Sequence, residues 1–324
     1  MAKSAGDIIK YILSFLLAGL LIWLAFRGID WVVLLGELRR TQWGHVMLFI
    51  PWAVGALVFR MLFWHSMIHP LDSSVTFSRV WHANNVGNLA NAVIPASGDL
   101  VRCGYVATAK AGYDKLLGTV AMERVWDAVS IAVLFMLAVA FDNGRFVRFF
   151  SDHIWAPVSG GSNLKLWLMI AFVLVVIVGF VVICFKFRAR HKVFDKVAGF
   201  VTGIGNGFVS VIHMRRKLAF LGYVVGMWLM YVMMYFFILK ATPGLSELGL
   251  VDAMFLAAVG NLASVVPVPG GMGAYHYLIA LAVSGIYGAS WETGILFATL
   301  QHELHAILLI LFGVISYFRL AVKR

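Results

Sequence analysis

The chain has 324 residues, 62% hydrophobic and 13% charged, with a formal net charge of +11 and a mean hydropathy of +0.90. A single water-soluble core of this size cannot bury so much apolar surface, so lipid must solvate most of the chain. The positive charge therefore reads as membrane topology rather than nucleic-acid binding, because no aromatic-plus-basic module accompanies it, and no stretch remains for a separate globular catalytic domain.

In chain order, apolar runs near the bilayer-crossing length of about 20 residues predict spans at 11–26, 44–64, 118–140, 166–186, 218–239 and 292–318. The first follows Lys3 and Lys10 as a signal peptide would. No small-x-small cleavage site precedes Arg27, so it reads as a retained helix. Two further apolar segments, about 79–111 and 249–285, are interrupted by Asn, Gly and Pro. Each has to begin and end on one side of the membrane, which predicts two re-entrant helical hairpins, the first entering from the cytoplasm and the second from outside. Between Lys186 and Lys217 the basic residues Arg188, Arg190, Lys192, Lys196, Arg215 and Arg216 face a single acid, Asp195. By the positive-inside rule that segment is cytoplasmic, and Arg319, Lys323 and Arg324 place the C-terminus with it. Within about 187–217, Phe194, Val197, Ala198, Val201, Ile204 and Phe208 recur at helical spacing. This fits an amphipathic helix on the inner leaflet, or equally a linker. Cys103 and Cys184 have no metal or redox spacing. The expectation is an all-α polytopic protein of the cytoplasmic membrane, one membrane domain over 1–324, with both termini inside.

Val86-Gly87-Asn88-Leu89-Ala90 recurs as Val259-Gly260-Asn261-Leu262-Ala263, each copy followed by Pro and Gly. The same offset lays span 44–64 on 218–239 and span 118–140 on 292–318. An odd number of crossings separates the copies, so the halves, 1–141 and 166–324, are expected to be an inverted repeat, the layout of many secondary transporters.

Helix-breaking segments survive in hydrocarbon only where protein or a water-filled cavity satisfies their backbone groups. The first offers Asn84, Asn88 and Asn91 at i, i+4, i+7, then Gly98-Asp99 and Arg102. The second offers Asn261 and then Pro267, Pro269, Gly270, Gly271 and Gly273, beyond which a free helix N-terminus could attract an anionic headgroup. These residues line a translocation path, or they merely let the hairpins pack closely. Glu123, Arg124 and Asp127 lie in an apolar span, where ionisable groups pair or mark a pathway. Glu123 and Asp127 share a face, with Arg102 or Arg124 as the local cation. The last span carries Gln301, His302, Glu303 and His305 as the second half's counterpart. His302 and His305 could share a metal with His276 or Glu303, relay protons, or hydrogen-bond neighbouring helices. The spacing is not that of a zinc protease, and neither a metal nor a cofactor is assigned.

Asn88 with Pro95, Gly98-Asp99 with Arg102, Glu123-Arg124 with Asp127, and Pro267 through Gly273 as Pro-x-Pro-Gly-Gly-x-Gly together resemble the lysylphosphatidylglycerol synthase transmembrane-domain family, which includes stand-alone flippase-like proteins. The resemblance implies a lipid-translocating fold with two re-entrant segments and the Arg and acidic residues near the headgroup path. It also implies the lack of the soluble aminoacyl-transferase half. The family often has Glu shortly after the Pro-Gly-Gly motif, where this chain has Tyr275-His276. It often has a basic residue in the last span, where this chain has Gln301-His302-Glu303. Aminoacylated phosphatidylglycerol is therefore not carried over as cargo.

The reading is a non-enzymatic flippase for a membrane lipid or lipid-linked intermediate. Its partners would be lipids with anionic or phosphate headgroups. The alternatives are a non-transporting membrane partner of an envelope-lipid enzyme and an ion-coupled transporter of a small solute using Glu123, Asp127, Glu303 and the histidines.

Overall fold

The computed structural model describes residues 5–94, 97–142, 216–263 and 268–322, with scattered positions between 144 and 202 and Val266. Pro95 and Pro267, most of the span expected at 166–186 and most of the amphipathic segment expected at 187–217 lie outside the described residues. The chain divides into two compact units, 1–141 with 219–324, and 142–218. Within the smaller unit, residues 182–186 are helical and Arg188 pairs with Asp195 at 3.2 Å on the surface. All the site residues considered below belong to the larger unit.

The described elements are helical: α1 Ala5–Phe26, α2 Trp31–Arg40, α3 Trp43–Ile68, α4 Phe77–Val93, α5 Gly98–Val106, α6 Tyr113–Phe141, α7 Lys217–Ala241, α8 Leu250–Leu262, a 3-10 turn Pro269–Gly271, α9 Ala274–Tyr287 and α10 Trp291–Ala321. Helices α3, α6, α7 and α10 are each long and apolar enough to cross a bilayer, and α1 with α2 makes a fifth candidate bent by 82°. The protein is thus an all-α polytopic membrane protein. Leu13, Leu16, Met136, Val225, Ile307 and Phe318 stay exposed, as lipid-facing side chains of such helices do.

Helix α2 is not singled out by hydropathy. Asp30 caps it, accepting from the Val32 and Val33 amides at 2.9 and 3.2 Å. Its buried Glu37 accepts a 2.7 Å hydrogen bond from Thr293 at the start of α10. That bond satisfies one carboxylate oxygen of a residue otherwise costly to bury.

The offset of 173 residues between Val86 and Val259 carries the starts of α3 and α4 to positions 216 and 250, where α7 and α8 begin at 217 and 250. Both halves therefore show the same order of long helix, helix, break, helix, long helix. Helices α3 and α7 run antiparallel. A Cβ on Gly55 would lie 2.9 Å from Met230 Sδ and one on Gly226 2.6 Å from Phe59, while Trp52 stacks on Phe237 and Phe63 meets Phe220. The first helix of each hairpin crosses to the other half, α4 packing on α10 and α8 on α6, while the second packs on the long helix of its own half, α5 on α6 and α9 on α10. Gly313 makes the first contact possible, since a side chain there would run into Leu89 and the Asn85 carbonyl.

The repeated glycines have one physical role in both copies. A Cβ on Gly87 would lie 2.8 Å from the Gly98 carbonyl across the α4–α5 hairpin, and one on Gly260 would strike Tyr235 and Tyr275. Gly87 marks the point where its hairpin closes on itself, and Gly260 makes room both for Tyr275 across its own hairpin and for Tyr235 of α7.

Candidate functional site

The α4–α5 hairpin is an antiparallel pair fastened by its asparagines. Asn91 Oδ1 accepts the Gly98 amide at 2.6 Å and Asn84 Oδ1 accepts Arg102 Nη1 at 2.9 Å. These bonds satisfy backbone and side-chain donors where the helix is interrupted, as an apolar environment requires. Asn88, between them, is half-buried.

Arg102 points from α5 to α6. Its Nη2 lies 2.8 Å from Glu123 Oε2 and 2.8 Å from Asp99 Oδ1. Its guanidinium carbon sits 4.4 Å from the centre of the Trp64 ring, a cation–π contact on a desolvated face. Trp64 is itself held by an Nε1 hydrogen bond to Thr119 Oγ1 at 3.0 Å. From α3, Arg60 donates to both Asp127 oxygens at 2.7 and 2.8 Å, and its Nε lies 2.6 Å from Glu123 Oε1. Arg124 Nη2 donates to Asp99 Oδ2 at 2.8 Å, and its Nη1 is 3.9 Å from Asp127 Oδ2.

The contacts close into a ring of alternating charge: Arg60, Glu123, Arg102, Asp99, Arg124, Asp127 and back to Arg60. Five links are 2.6–2.8 Å and the sixth, Arg124 to Asp127, is 3.9 Å. Its formal charge is zero, which is how six ionised groups can share apolar helices without an uncompensated charge. The ring is graded in depth: the Glu123 side chain is fully buried, Arg102 is nearly so, and Arg124 is 53% exposed.

This geometry revises the sequence reading in two respects. Arg102 is already spent on Asn84, Asp99 and Glu123, so Arg124 is the accessible cation. Arg60, visible in the sequence only as a charge inside a span, holds Glu123 and Asp127 of α6. Its partner Asp127 is 67 residues away, a relation no local pattern carries.

The second cluster lies on α9, α10 and the Pro-Gly-Gly turn. His302 Nε2 is 2.8 Å from the Gly270 carbonyl oxygen, and its Nδ1 is 3.0 Å from Glu303 Oε1. His276 Nε2 is 3.7 Å from the same carboxylate oxygen. Tyr275 packs on His302 with ring centres 5.0 Å apart and planes tilted by 33°, and it donates to Tyr235 Oη at 2.9 Å. His305 instead faces Tyr231. The cluster is not the second-half copy of the charge ring. At the 173-residue offset Glu123, Arg124 and Asp127 fall on Leu296, Phe297 and Leu300, and Arg102 falls on Tyr275.

Gly270, Gly271 and Gly273 all have positive φ, at 59, 76 and 78°, the left-handed backbone that glycine adopts at least cost. A Cβ on Gly273 would come within 2.5 Å of the Ile22 amide nitrogen, so the turn is pressed against α1. Ala274, Tyr275 and His276 are buried. The expectation of an open helix N-terminus beyond the turn is thus corrected: α1 packs against the start of α9. Asn261 donates back to the Ala257 carbonyl at 2.8 Å.

A separate cavity of about 260 Å³ lies where the start of α4 meets the end of α10, lined by Arg79, His82, Tyr105 and Arg319 among others. Arg79 already donates to the Tyr105 and Ala107 carbonyls at 2.9 and 3.1 Å.

Fold and site together define a multi-pass α-helical membrane protein with a compensated charge network inside its helices. Residues 11–313 match the family described as Lysylphosphatidylglycerol synthase TM region, and the chain belongs to that family. No curated protein and no solved structure gives a significant match.

Proposed function

We propose that the protein translocates the headgroup of an anionic or phosphate-bearing membrane lipid as a flippase, with acyl chains left in the bilayer and no catalytic chemistry. The observation that carries the reading is the alternating ring of three arginines and three carboxylates. Ionisable groups are rare inside membrane helices and mark pathways by default. A lipid phosphate can substitute for the Asp99 carboxylate at Arg124, because both anions accept a pair of guanidinium N–H groups in the same planar geometry. Exchange at the half-exposed end then loosens Asp99 from Arg102 and passes the anion inward, where the Asn88 amide offers a further hydrogen bond.

The antiparallel run of the equivalent helices α3 and α7, with the crossing of α4 and α8 between halves, supports an inverted repeat whose halves rock against each other. The breaks at Gly98 and at Gly270 to Gly273 supply the hinges. The basic segment between Lys186 and Lys217 supports a cytoplasmic membrane location with both termini inside.

The test is binding. Purified protein in neutral detergent should gain thermal stability on adding phosphatidylglycerol but not phosphatidylcholine, and Arg124→Gln should remove the gain while leaving the protein folded. Equal stabilisation by both lipids in the wild type would overturn the assignment of the ring. A non-transporting membrane partner of an envelope-lipid enzyme is the second reading, favoured by the closure of the ring as it stands; it requires binding without translocation.

A further inference from the structure

The charge ring leaves the second cluster unexplained. His276, His302 and Glu303 come from two helices and converge below the Pro-Gly-Gly turn, with one ligand atom of each within 4.8 Å of the other two. A carbonyl oxygen can only accept, so the 2.8 Å contact to Gly270 fixes the proton of a neutral His302 on Nε2. Its Nδ1 then carries a bare lone pair. That lone pair faces Glu303 Oε1 at 3.0 Å, and His276 Nε2 approaches the same oxygen at 3.7 Å. The Nδ1 of His276 is buried without a hydrogen-bond partner. The His302 lone pair and the Glu303 carboxylate thus meet at 3.0 Å with His276 Nε2 beside them, and a cation held among the three removes that repulsion.

We propose that His276, His302 and Glu303 bind a first-row divalent transition-metal ion such as zinc or cobalt. Two imidazole nitrogens and a carboxylate are the ligand set of such ions rather than of magnesium or calcium, which take oxygen. With bonds of about 2.0–2.2 Å, tetrahedral zinc holds its ligand atoms roughly 3.3 Å apart, and the separations of 3.0 and 3.7 Å lie either side of that value. The Gly270 carbonyl on the far nitrogen of His302 is the outer partner that orients a metal-binding histidine. Glu303 is 45% exposed, so a fourth position opens to water or to a ligand. The ion would tie α9 to α10 and, through His302, hold the glycine turn. The sequence alone did not assign this site because His302 and His305 looked like the pair, whereas folding recruits His276 and turns His305 toward Tyr231.

The experiment uses the purified full chain, stripped with chelator, in detergent. One sample is reloaded with zinc, desalted and its retained zinc counted, and a second is titrated with cobalt while its visible d–d absorption is recorded. The wild type should hold one zinc per chain and develop the intense band of low-coordinate cobalt. His276→Ala, His302→Ala and Glu303→Gln should each lose the band and retain less than a tenth of the zinc. Glu303→Gln keeps the size of the side chain, and monodisperse elution of each variant confirms that loss of metal is not loss of fold. A wild type without stoichiometric zinc would overturn the site, as would folded His276→Ala and Glu303→Gln proteins that bind as the wild type does.

Discussion

Glu123 and Arg124 are adjacent in the sequence and opposite in energetic role. Glu123 is fully buried between Arg60 and Arg102, so Glu123→Leu leaves the ring with one uncompensated positive charge beside an apolar side chain and should cost about 3–5 kcal/mol, the usual loss when one partner of a buried pair is removed. Arg124 is half in solvent, and Arg124→Gln should cost no more than about 1 kcal/mol. Denaturation in mixed micelles checks both, and equal losses would show that the ring is not graded in depth. The loop carboxylate Asp72 makes a pH-dependent contribution. It accepts from the Ser74 hydroxyl and amide at 2.7 and 2.9 Å and from Thr108 at 2.7 Å, and these bonds hold its carboxyl down at about 2, below the ordinary 3.8. A depressed carboxyl stabilises the fold fully above its unfolded value and loses that contribution as pH falls from near 3.8 through 2. Asp72→Asn should therefore flatten the fall in melting temperature between pH 4 and pH 2 relative to the wild type. Glu123, Asp127 and Arg102 were legible in the sequence because a charge in an apolar span stands out. Arg60 as their partner was not, since the contact depends on how α3 crosses α6.

At the scale of elements, the glycines divide by mechanism. Gly87 and Gly260 sit in ordinary helix and serve close approach, whereas Gly273 combines positive φ with contact against the α1 backbone. Gly273→Ala adds left-handed strain of about 1–3 kcal/mol to a clash with Ile22 that a helix backbone cannot relieve by a rotamer change. It should destabilise the protein more than Gly270→Ala, whose side chain would meet open space; thermal melts of the two variants compare them directly. The hairpins were legible from Asn, Gly and Pro in apolar surroundings, and the word-for-word repeat located both. Helix α2 was missed because its stability comes from the Asp30 cap and from Glu37 reaching Thr293, neither of which leaves a hydropathy signal. The cover of α1 over the start of α9 is likewise a tertiary fact, requiring residue 22 to meet residue 273.

Across the whole molecule, the order of helices recurs at a common offset but the charged residues do not. Arg60, Arg102, Glu123 and Asp127 correspond at the common offset to Met233, Tyr275, Leu296 and Leu300. The second half answers the charge ring with the Tyr235–Tyr275 hydrogen bond. On the proposed flippase function, two related halves with one charged site would suit a single cargo path that the halves alternately open. The antiparallel crossing that underlies this picture can be checked by pairing cysteines. Phe59→Cys with Gly226→Cys should cross-link under mild oxidation. Phe59→Cys with Phe237→Cys should not, because the crossing pairs Phe237 with Trp52 instead. Cross-linking of the second pair alone would reverse the assigned direction.

The central claim, that the charge ring conducts a lipid headgroup, meets its most direct test in proteoliposomes. Fluorescent phosphatidylglycerol and phosphatidylcholine would be followed by dithionite quenching, with wild type beside folded Arg124→Gln. The account predicts protein-dependent movement of the anionic lipid that Arg124→Gln slows at least tenfold. Movement at the same rate in the variant, or no movement of either lipid with the wild type under any imposed gradient, would contradict it.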